Sequence, residues 1–273
     1  MHTGKHPCGF RQNRGNRAML YTTFTKQYTL FLTRFVRKMK FELEGPESMY
    51  RLNICVVSLP PEDGPLDYLS TVEREQYFSF KYPKRRNSYL LSKLSCKMAV
   101  ASDDDDLTAI VIHHGVMRQP IVEGSERRIT ITHCDTMGAA IDYDPRLLIG
   151  VDIELVDIKA MDALARITST EEHMLVHELG LQPSTFLTLL WTAKEAMSKV
   201  IQTGFTVPTE LFEVKECVWK ERCIISQFKN FPPFKAISIL REKYVFTLVL
   251  PAKAMTEMGE IRLLQSLDTF LPL

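Results

Sequence analysis

The run Gly150-Val151-Asp152-Ile153-Glu154 limits the fold more strongly than any other stretch of the chain. Side chains of a β-strand alternate between two faces, so the apolar residues of this run share one face and the two acidic residues share the other. Carboxylates two positions apart lie about 6.5–7 Å from each other at their Cα atoms, and they repel unless a cation or strong donors lie between them. The run therefore predicts either a strand with a solvated acidic face or a site for a hard divalent cation such as Mg²⁺.

The composition is that of an ordinary globular protein and excludes several classes. The chain has 273 residues and a net charge of +1, which gives no reason to expect nucleic acid or an anionic membrane as the main partner. No apolar run is long enough to span a bilayer, and the six cysteines form no CxxC pair. We therefore interpret the cysteines as free thiols of a reducing compartment and expect a cytoplasmic protein.

The character of the chain changes at about Met49. Residues 1–48 are rich in Arg and Lys and contain no Asp or Glu before Glu42, so we expect a basic, disordered N-terminal extension. This extension is either a cationic targeting arm or sequence upstream of a functional first residue at Met49. From Met49 onward, alternating strand and helix patterns predict an α+β fold with an N-terminal half in residues 49–147 and a C-terminal half in residues 148–273.

The first long helix of the N-terminal half is basic at its beginning. Helical periodicity extends over residues 84–101, and Lys84, Arg85 and Arg86 occupy the first turn. Backbone N–H groups at a helix N-terminus favour bound anions, and nearby cations add to that preference. The segment therefore predicts either an anion-binding site or a solvated basic turn.

Two strands are expected later in this half. Residues 107–114 are interpreted as one strand, and residues 128–133 alternate so that a second strand brings Thr132 and His133 to its end. A histidine at the end of a strand suits ligand binding as well as a purely structural hydrogen bond.

A helix in the C-terminal half carries further charge. On residues 185–202, the side chains of Trp191, Glu195 and Lys199 share one face. A surface Glu–Lys pair at this spacing contributes only about 0.2–0.5 kcal/mol, which does not explain so much charge beside a tryptophan. If Glu195 joined the two strand carboxylates, the three acids and a lysine would suit metal-assisted phosphate chemistry. After Leu250 the chain is interpreted as a polar tail following the last strand.

In this order the two motifs resemble the signature pair of the 4′-phosphopantetheinyl transferases. The family patterns (I/V)G(I/V)D-x-E and W-(S/T)-x-K-E-(A/S)-x-x-K match residues 149–154 and 191–199, about 40 residues apart. The capping-box-like segment 169–172 also has the family's spacing. The resemblance covers roughly residues 49–250, and the separate N-terminal half is similar to the larger monomeric type that activates surfactin synthetase.

The resemblance implies a fold and a reaction. The fold is a pseudo-dimer of two similar α+β halves, with coenzyme A and Mg²⁺ or Mn²⁺ in the cleft between them. The reaction is that of a holo-[acyl-carrier-protein] synthase: a serine hydroxyl of an apo acyl or peptidyl carrier protein attacks the β-phosphate of coenzyme A, phosphopantetheine moves to the serine, and 3′,5′-ADP leaves. The implied partners are carrier proteins and coenzyme A, without nucleic acid or membrane, and the implied state is a monomer.

The resemblance also implies roles for single residues. The implied metal ligands are Asp152, Glu154 and Glu195. Glu195 is in addition the candidate general base for the serine, and Lys199 would offset charge on the transferring phosphoryl oxygens. The implied coenzyme A contacts, of which the first three would clamp the 3′-phosphate, are Lys84, Arg85, Arg86, Arg118, Thr132, His133 and Lys194.

The chain departs from the family pattern at these coenzyme A contacts. The family's Ser-His-Ser reads Thr132-His133-Cys134, which keeps the first hydroxyl and loses the second. Gly-Lys-Pro reads Arg118-Gln119-Pro120, and Gly-x-Gly-Leu is reduced to Thr203-Gly204-Phe205. The departures affect the expected coenzyme A contacts more than the expected metal site.

Two other functions stay open at this point. The first is a non-catalytic relative that binds coenzyme A or a carrier protein, against which the three retained carboxylates argue. The second is an unrelated metal-dependent hydrolase built on His173 and His177, which have the i, i+4 spacing of a two-histidine metal face. No HExxH pattern completes that pair, so an exposed helix surface explains it as well.

Overall fold

The structure is a computed structural model that describes residues 35–58, 66–102 and 104–271. Within these ranges the strands form two antiparallel sheets, which confirms the predicted α+β class. Sheet one contains β1 (Val36–Glu44), β2 (Met49–Ser58), β3 (Ile112–His114), β4 (Pro120–Val122), β5 (Arg128–Cys134) and β6 (Met137–Tyr143), in the spatial order β1-β2-β6-β5-β4-β3. Sheet two contains β7 (Gly150–Leu155), β8 (Val214–Lys220), β9 (Cys223–Phe228), β10 (Phe234–Arg241) and β11 (Tyr244–Pro251), in the order β7-β11-β10-β9-β8.

Helices cover these sheets. The α-helices are α1 (Thr71–Ser79), α2 (Pro83–Val100), α3 (Met161–Arg166), α4 (Thr170–Met174), α5 (Val176–Leu179), α6 (Pro183–Val200) and α7 (Glu257–Phe270). Single 3₁₀ turns occur at Leu107–Ala109, Ile158–Ala160, Gly204–Thr206, Thr209–Phe212 and Ala252–Ala254. Both long helices, α2 and α6, begin with a proline, which fits a first turn because the N–H group that proline lacks has no partner there in any case.

The buried apolar residues of the described ranges form two clusters, one between the sheets and one beneath the outer helices. One core includes β2, β6, β7, β10 and β11 together with α7. On the other side of sheet two, Leu189, Ala193 and Val200 of α6 pack against apolar residues of β8 to β11. On sheet one, α2 packs over the central strands, with Leu91 against Gly138 of β6.

Gly150 determines how closely α6 approaches β7. A Cβ atom at this position would lie 1.9 Å from the backbone oxygen of Ala196, so any larger residue would displace the helix. Because Glu195 and Lys199 lie on the same stretch of α6, this close approach brings both side chains to the acidic strand.

β7 is the edge strand of sheet two, and its outer side is satisfied by side chains from neighbouring elements. The N–H of Val151 donates to Thr130 Oγ1 and the N–H of Ile153 donates to Thr132 Oγ1, both at 3.4 Å. On the same edge, Lys199 Nζ donates to the carbonyl oxygen of Val151 at 3.0 Å. The backbone of β7 is therefore fixed between β5 and α6.

β1 corrects the predicted extent of the N-terminal extension. The strand pairs with β2 along its whole length, from Val36 opposite Val57 to Glu44 opposite Met49. Leu43 is completely buried in the core between the sheets, and this burial holds the segment in sheet one. The prediction made for residues 1–34 lies outside the described residues.

α7 corrects the interpretation of the C-terminal residues as a polar tail. Its Leu263, Leu264 and Leu267 have a helical spacing and are completely buried. Thr256 caps the helix, because its Oγ1 accepts from the N–H of Gly259 at 3.0 Å. The polar residues between the leucines face outward, which is why the composition alone indicated a tail.

The segment predicted as a strand over residues 107–114 is also different. Only Ile112–His114 forms a strand, and Leu107–Ala109 forms a 3₁₀ turn capped by Asp106. The short β3 pairs with β4 in a hairpin whose tip carries Arg118 at a φ of 61°.

Candidate active site

A cavity of about 400 Å³ lies where α2, the β3–β4 hairpin, β5, β7 and α6 meet. Eight residues expected at the site from the sequence line it: Arg85, Arg118, Thr132, His133, Asp152, Glu154, Glu195 and Lys199. Residues far apart in sequence thus converge on one space, with acidic and cationic groups facing each other.

Asp152 is the most enclosed carboxylate of this site. It is only 2% exposed, and its Oδ1 accepts from Thr132 Oγ1 at 2.7 Å and from Lys199 Nζ at 2.8 Å. Its buried Oδ2 has no hydrogen-bond partner in the described part of the chain. An oxygen of a buried carboxylate without a donor is costly, so this atom is an acceptor that a bound group could satisfy.

The carboxyl groups of Glu154 and Glu195 both feel the negative charge of Asp152, and both have raised pKa values. Burial raises the pKa of Glu154 from 4.5 to about 7, with further contributions from Asp152 and Glu195, against a hydrogen bond from Trp191 and the charge of Lys199. Burial also raises the pKa of Glu195, which Lys199 opposes and Asp152 reinforces. The raised pKa values show that burial, together with the neighbouring carboxylates, disfavours the ionised forms of both residues. Trp191 has a role that the motif alone did not indicate, since its Nε1 donates to Glu154 Oε1 at 3.2 Å.

Lys199 contributes a positive charge to the cavity, and His133 contributes a neutral imidazole ring. Lys199 Nζ bonds to Val151 O and Asp152 Oδ1 and lies 3.9 Å from Glu195 Oε1. The ring of His133 is exposed to the cavity, whose walls desolvate it and lower its pKa, and the charges of Lys199 and Arg85 act in the same direction. At neutral pH His133 is therefore an uncharged hydrogen-bonding group of the cavity.

Three predicted contacts lie elsewhere. Lys84 is exposed at the beginning of α2 and does not line the cavity, and Arg86 donates to the carbonyl oxygen of Phe80 at 2.8 Å. Lys194 is 2% exposed and forms a buried ion pair with Glu172 at 2.7 Å, which corrects its predicted place among the ligand contacts. Thr132 lines the cavity, but its hydroxyl is engaged by Asp152, so it positions that carboxylate.

Other cavity residues were not identified from the sequence. Ser88, Tyr89, Ser92 and Lys93 form a polar stripe on α2 that faces the cavity together with Arg85. The available signal was the spacing of these polar residues at i, i+3, i+4, i+7 and i+8 in a helix whose other faces are buried. His114 of β3 also lines the cavity.

The donor set fits a hard cation, but the side chains are not arranged around one. Asp152, Glu154 and Glu195 offer oxygen ligands of the kind that Mg²⁺ prefers, and Oδ2 of Asp152 lacks a partner in the described ranges. As the side chains stand, no group of three or more His, Cys, Asp or Glu in the described residues could hold a metal ion. The ammonium of Lys199 instead neutralises part of the charge on Asp152.

The described structure offers no support for the hydrolase alternative. His173 belongs to α4 and His177 to the separate α5, and both are exposed. The helical spacing on which a two-histidine site depends is therefore interrupted between them.

Two findings bear on the chain's identity and character. Searching the described residues gave no helix with the length and hydropathy of a membrane span. The comparison with curated proteins gave no match.

The comparison with family models gave one match, over residues 148–249. This segment includes β7 and α6, and therefore supplies Asp152, Glu154, Glu195 and Lys199, whereas β5 and α2 lie outside it. Residues 148–249 are thus similar to the 4′-phosphopantetheinyl transferase superfamily, whose model they match.

Proposed function

We propose that this protein transfers the 4′-phosphopantetheine group of coenzyme A to a serine of an apo acyl or peptidyl carrier protein and releases 3′,5′-ADP. One observation carries the proposal: the two motifs of the matched segment place three carboxylates and Lys199 in a single cavity. That cavity also receives His133 and Arg85 from the half of the chain that the family match does not cover. Anionic and cationic groups side by side suit a pyrophosphate substrate with its counter-ion.

Glu195 is the best placed group to accept the proton of the serine. Asp152 accepts two hydrogen bonds and Glu154 accepts one from Trp191, whereas the recorded ion pair of Glu195 with Lys199 is long, at 3.9 Å. Burial raises the pKa of Glu195, which makes it a stronger base than a solvated carboxylate. As Glu195 takes the proton, the serine oxygen bonds to the β-phosphorus and the bond from phosphorus to the departing 3′,5′-ADP oxygen breaks.

Lys199 would neutralise charge on the transferring phosphoryl group. An ammonium has three N–H donors, and the described contacts occupy two of them, on Val151 O and Asp152 Oδ1. The third donor is available for a phosphoryl oxygen. Because α6 approaches β7 so closely at Gly150, this ammonium is held in place before the substrate arrives.

Mg²⁺, or Mn²⁺ in its place, is the cofactor we propose. Asp152, Glu154 and Glu195 would hold it, and when bound it would draw electron density from the pyrophosphate oxygens. Carboxylate ligands must be ionised, so binding would remove the proton that Glu154 holds near neutral pH.

We also propose that the two halves form a pseudo-dimer, which repeated devices in the chain support. Each half has a capping box, Ser70 with Glu73 and Ser169 with Glu172, and each capping glutamate pairs with a buried lysine. Each half also has an 18-residue helix that begins with proline and crosses a glycine of the sheet below it.

The partners and setting follow from the same proposal. We propose a monomer of the surfactin-synthetase-activating type whose partners are coenzyme A and carrier proteins. The cysteines of the described residues are buried free thiols, which is typical of a reducing compartment and supports a cytoplasmic location.

The test is the intact mass of an apo carrier protein incubated with this protein, coenzyme A and Mg²⁺. We expect a gain of one phosphopantetheinyl group that disappears with EDTA and falls by at least about a hundredfold in rate with Asp152→Asn. An exposed-site control, Glu216→Gln on β8, should react at the wild-type rate. If several acyl and peptidyl carriers gain no mass although coenzyme A binds, the protein is a non-catalytic relative.

A further inference from the structure

Two lysines of α2 share a single carboxylate beneath the cavity. Lys97 Nζ lies 2.6 Å from Glu73 Oε2 and Lys93 Nζ lies 3.1 Å from Glu73 Oε1. These are the recorded ion pairs of both lysines, so the group of three carries one positive charge in excess in the described structure. Buried charge is normally balanced, and this excess therefore requires an explanation.

The excess charge is presented by Lys93 and not by Lys97. Lys97 is completely buried, and its three N–H donors are used by Glu73, Tyr68 O and Leu107 O. The side chain of Lys93 is 15% exposed and lines the cavity. Its hydrogen bonds within the described residues go to Glu73 and Ile112 O, and its Nζ lies 5.6 Å from the centroid of the Tyr89 ring, which also lines the cavity. One N–H of Lys93 is therefore left for a group that occupies the cavity.

The C-terminal half contains the corresponding pair of a capping glutamate and a buried lysine, without a second lysine in the described residues. There Glu172 has one buried lysine, Lys194, whose side chain is 2% exposed. The residue four positions before Lys194 is Leu190, which belongs to the core of that half. A capping glutamate with one lysine is therefore sufficient for the fold, and Lys93 is an addition to it.

On the basis of the proposed function, we infer that Lys93 binds the 3′-phosphate of coenzyme A. The pyrophosphate belongs beside Asp152 and Lys199, and none of the hydrogen bonds or ion pairs recorded for the described residues joins Lys93 to that group. The phosphate that remains in the substrate is the one on the ribose. Arg85 lines the same cavity, so Lys93 and Arg85 take the place predicted for the run of three basic residues that begins at Lys84.

Calorimetric titration with coenzyme A and with 3′-dephospho-coenzyme A, both in Mg²⁺, separates this phosphate from the rest of the ligand. We expect the wild type to prefer coenzyme A by about tenfold or more, as for a hydrogen bond between charged partners. Lys93→Met should weaken coenzyme A by the same factor and leave the dephospho ligand unchanged. Lys93→Arg should keep most of the preference, and the matched control Lys84→Met should keep all of it.

The variants are expected to fold. In Lys93→Met, Glu73 retains Lys97, which reproduces the one-to-one pair of the other half, so thermal unfolding should stay close to that of the wild type. Equal weakening of both ligands by Lys93→Met, or no weakening of either, would overturn the inference alone. A wild type that binds neither ligand would overturn the proposed function and this inference with it.

Discussion

At the scale of single residues, the carboxylates of this site are buried close together, and the effect is clearest in the raised pKa of Glu154. Burial raises its pKa to about 7, and the neighbouring carboxylates of Asp152 and Glu195 contribute in the same direction. The group ionises at a cost to the folded state whenever no cation is bound. Without a bound cation, the folded state is therefore least stable at the pH values at which Glu154 is ionised, which are also the values at which it can bind a divalent ion.

Glu154→Gln should reveal this cost as a pH-dependent gain in stability. Because the folded-state pKa is higher than the unfolded value of 4.5, the wild type loses stability relative to the variant as pH rises from about 4.5 through about 7. A tenfold change in proton affinity corresponds to about 1.4 kcal/mol, so the gain should approach about 3 kcal/mol at pH 8 and vanish near pH 4. Urea unfolding in EDTA at the two pH values measures it.

The control for this prediction is Glu216→Gln, at an exposed position of β8. It should change the free energy of unfolding by no more than about 0.5 kcal/mol at either pH. A Glu154→Gln variant that is no more stable than the wild type at pH 8 would show that ionisation of Glu154 does not destabilise the folded state.

Lys194→Met should damage the fold and leave the ligand site intact. The side chain of Glu172 is completely buried, and loss of its lysine leaves a carboxylate without a counter-ion, which costs about 3–5 kcal/mol. Denaturant unfolding measures the loss, with the exposed Lys215→Met as control. The affinity of the folded variant for coenzyme A should equal that of the wild type. A tenfold weaker affinity at unchanged stability would restore the role that the motif predicted.

Motif spacing was most informative for residues on one face of one element. Asp152 and Glu154 lie two apart on a strand, and Glu195 and Lys199 lie four apart on a helix, so periodicity brings each pair to the cavity. Lys194 shares the motif but is rotated by about 100° from Glu195, which places it on Glu172. Lys93 was missed because a single lysine in a helix usually indicates solvent, and its link to Glu73 spans two helices.

Among the elements, β7 depends on its neighbours to an unusual degree. Its free edge rests on two threonines of β5 and on Lys199 of α6. Alternation predicted the strand and the direction of its acidic side chains. Nothing in the local pattern indicated which element would satisfy its backbone, because that pairing joins β5 and β7 of different sheets.

Thr132→Val and Thr130→Val separate the structural from the positioning role of these threonines. Each variant leaves one buried N–H of β7 without an acceptor, so each should lose about 1–2 kcal/mol of unfolding free energy. Only Thr132 also donates to Asp152, so only Thr132→Val should lower the transfer rate, by about tenfold. Rates and unfolding curves of the pair decide the question, and equal rates would remove Asp152 positioning from the account.

For the molecule as a whole, β1 is an integral part of the described fold. A chain that starts at Met49 lacks this strand, which exposes the edge of β2 and removes Leu43 from the core. We expect it to be less stable than a chain starting at Phe35 by more than about 3 kcal/mol, since Leu43 alone contributes about 1.5–3 kcal/mol. Thermal unfolding and solubility of the two chains measure the difference. Equal stability of the two chains would show that β1 is dispensable for the fold.

The α+β class and the two long helices could be predicted because they rest on local periodicity. The strand order could not, since the position of β6 between β2 and β5 and the docking of α7 on β1 depend on contacts far apart in sequence. The backbone N–H of Thr256, for example, donates to the carbonyl oxygen of Glu44. Such contacts are decided by which apolar faces fit together, and composition gives no account of that fit.

Glu172 has a consequence for how the molecule opens. Its carboxylate accepts from the N–H of Ser169, from the N–H of Val214 and from Lys194, so one side chain links the beginning of α4, the beginning of β8 and the middle of α6. Because Glu172 is completely buried, exposing any one of these groups removes a donor from a carboxylate that water does not reach, which favours opening of all three together. The amides of Ser169 and Val214 should therefore exchange with deuterium through one shared opening, with the same free energy and the same dependence on denaturant.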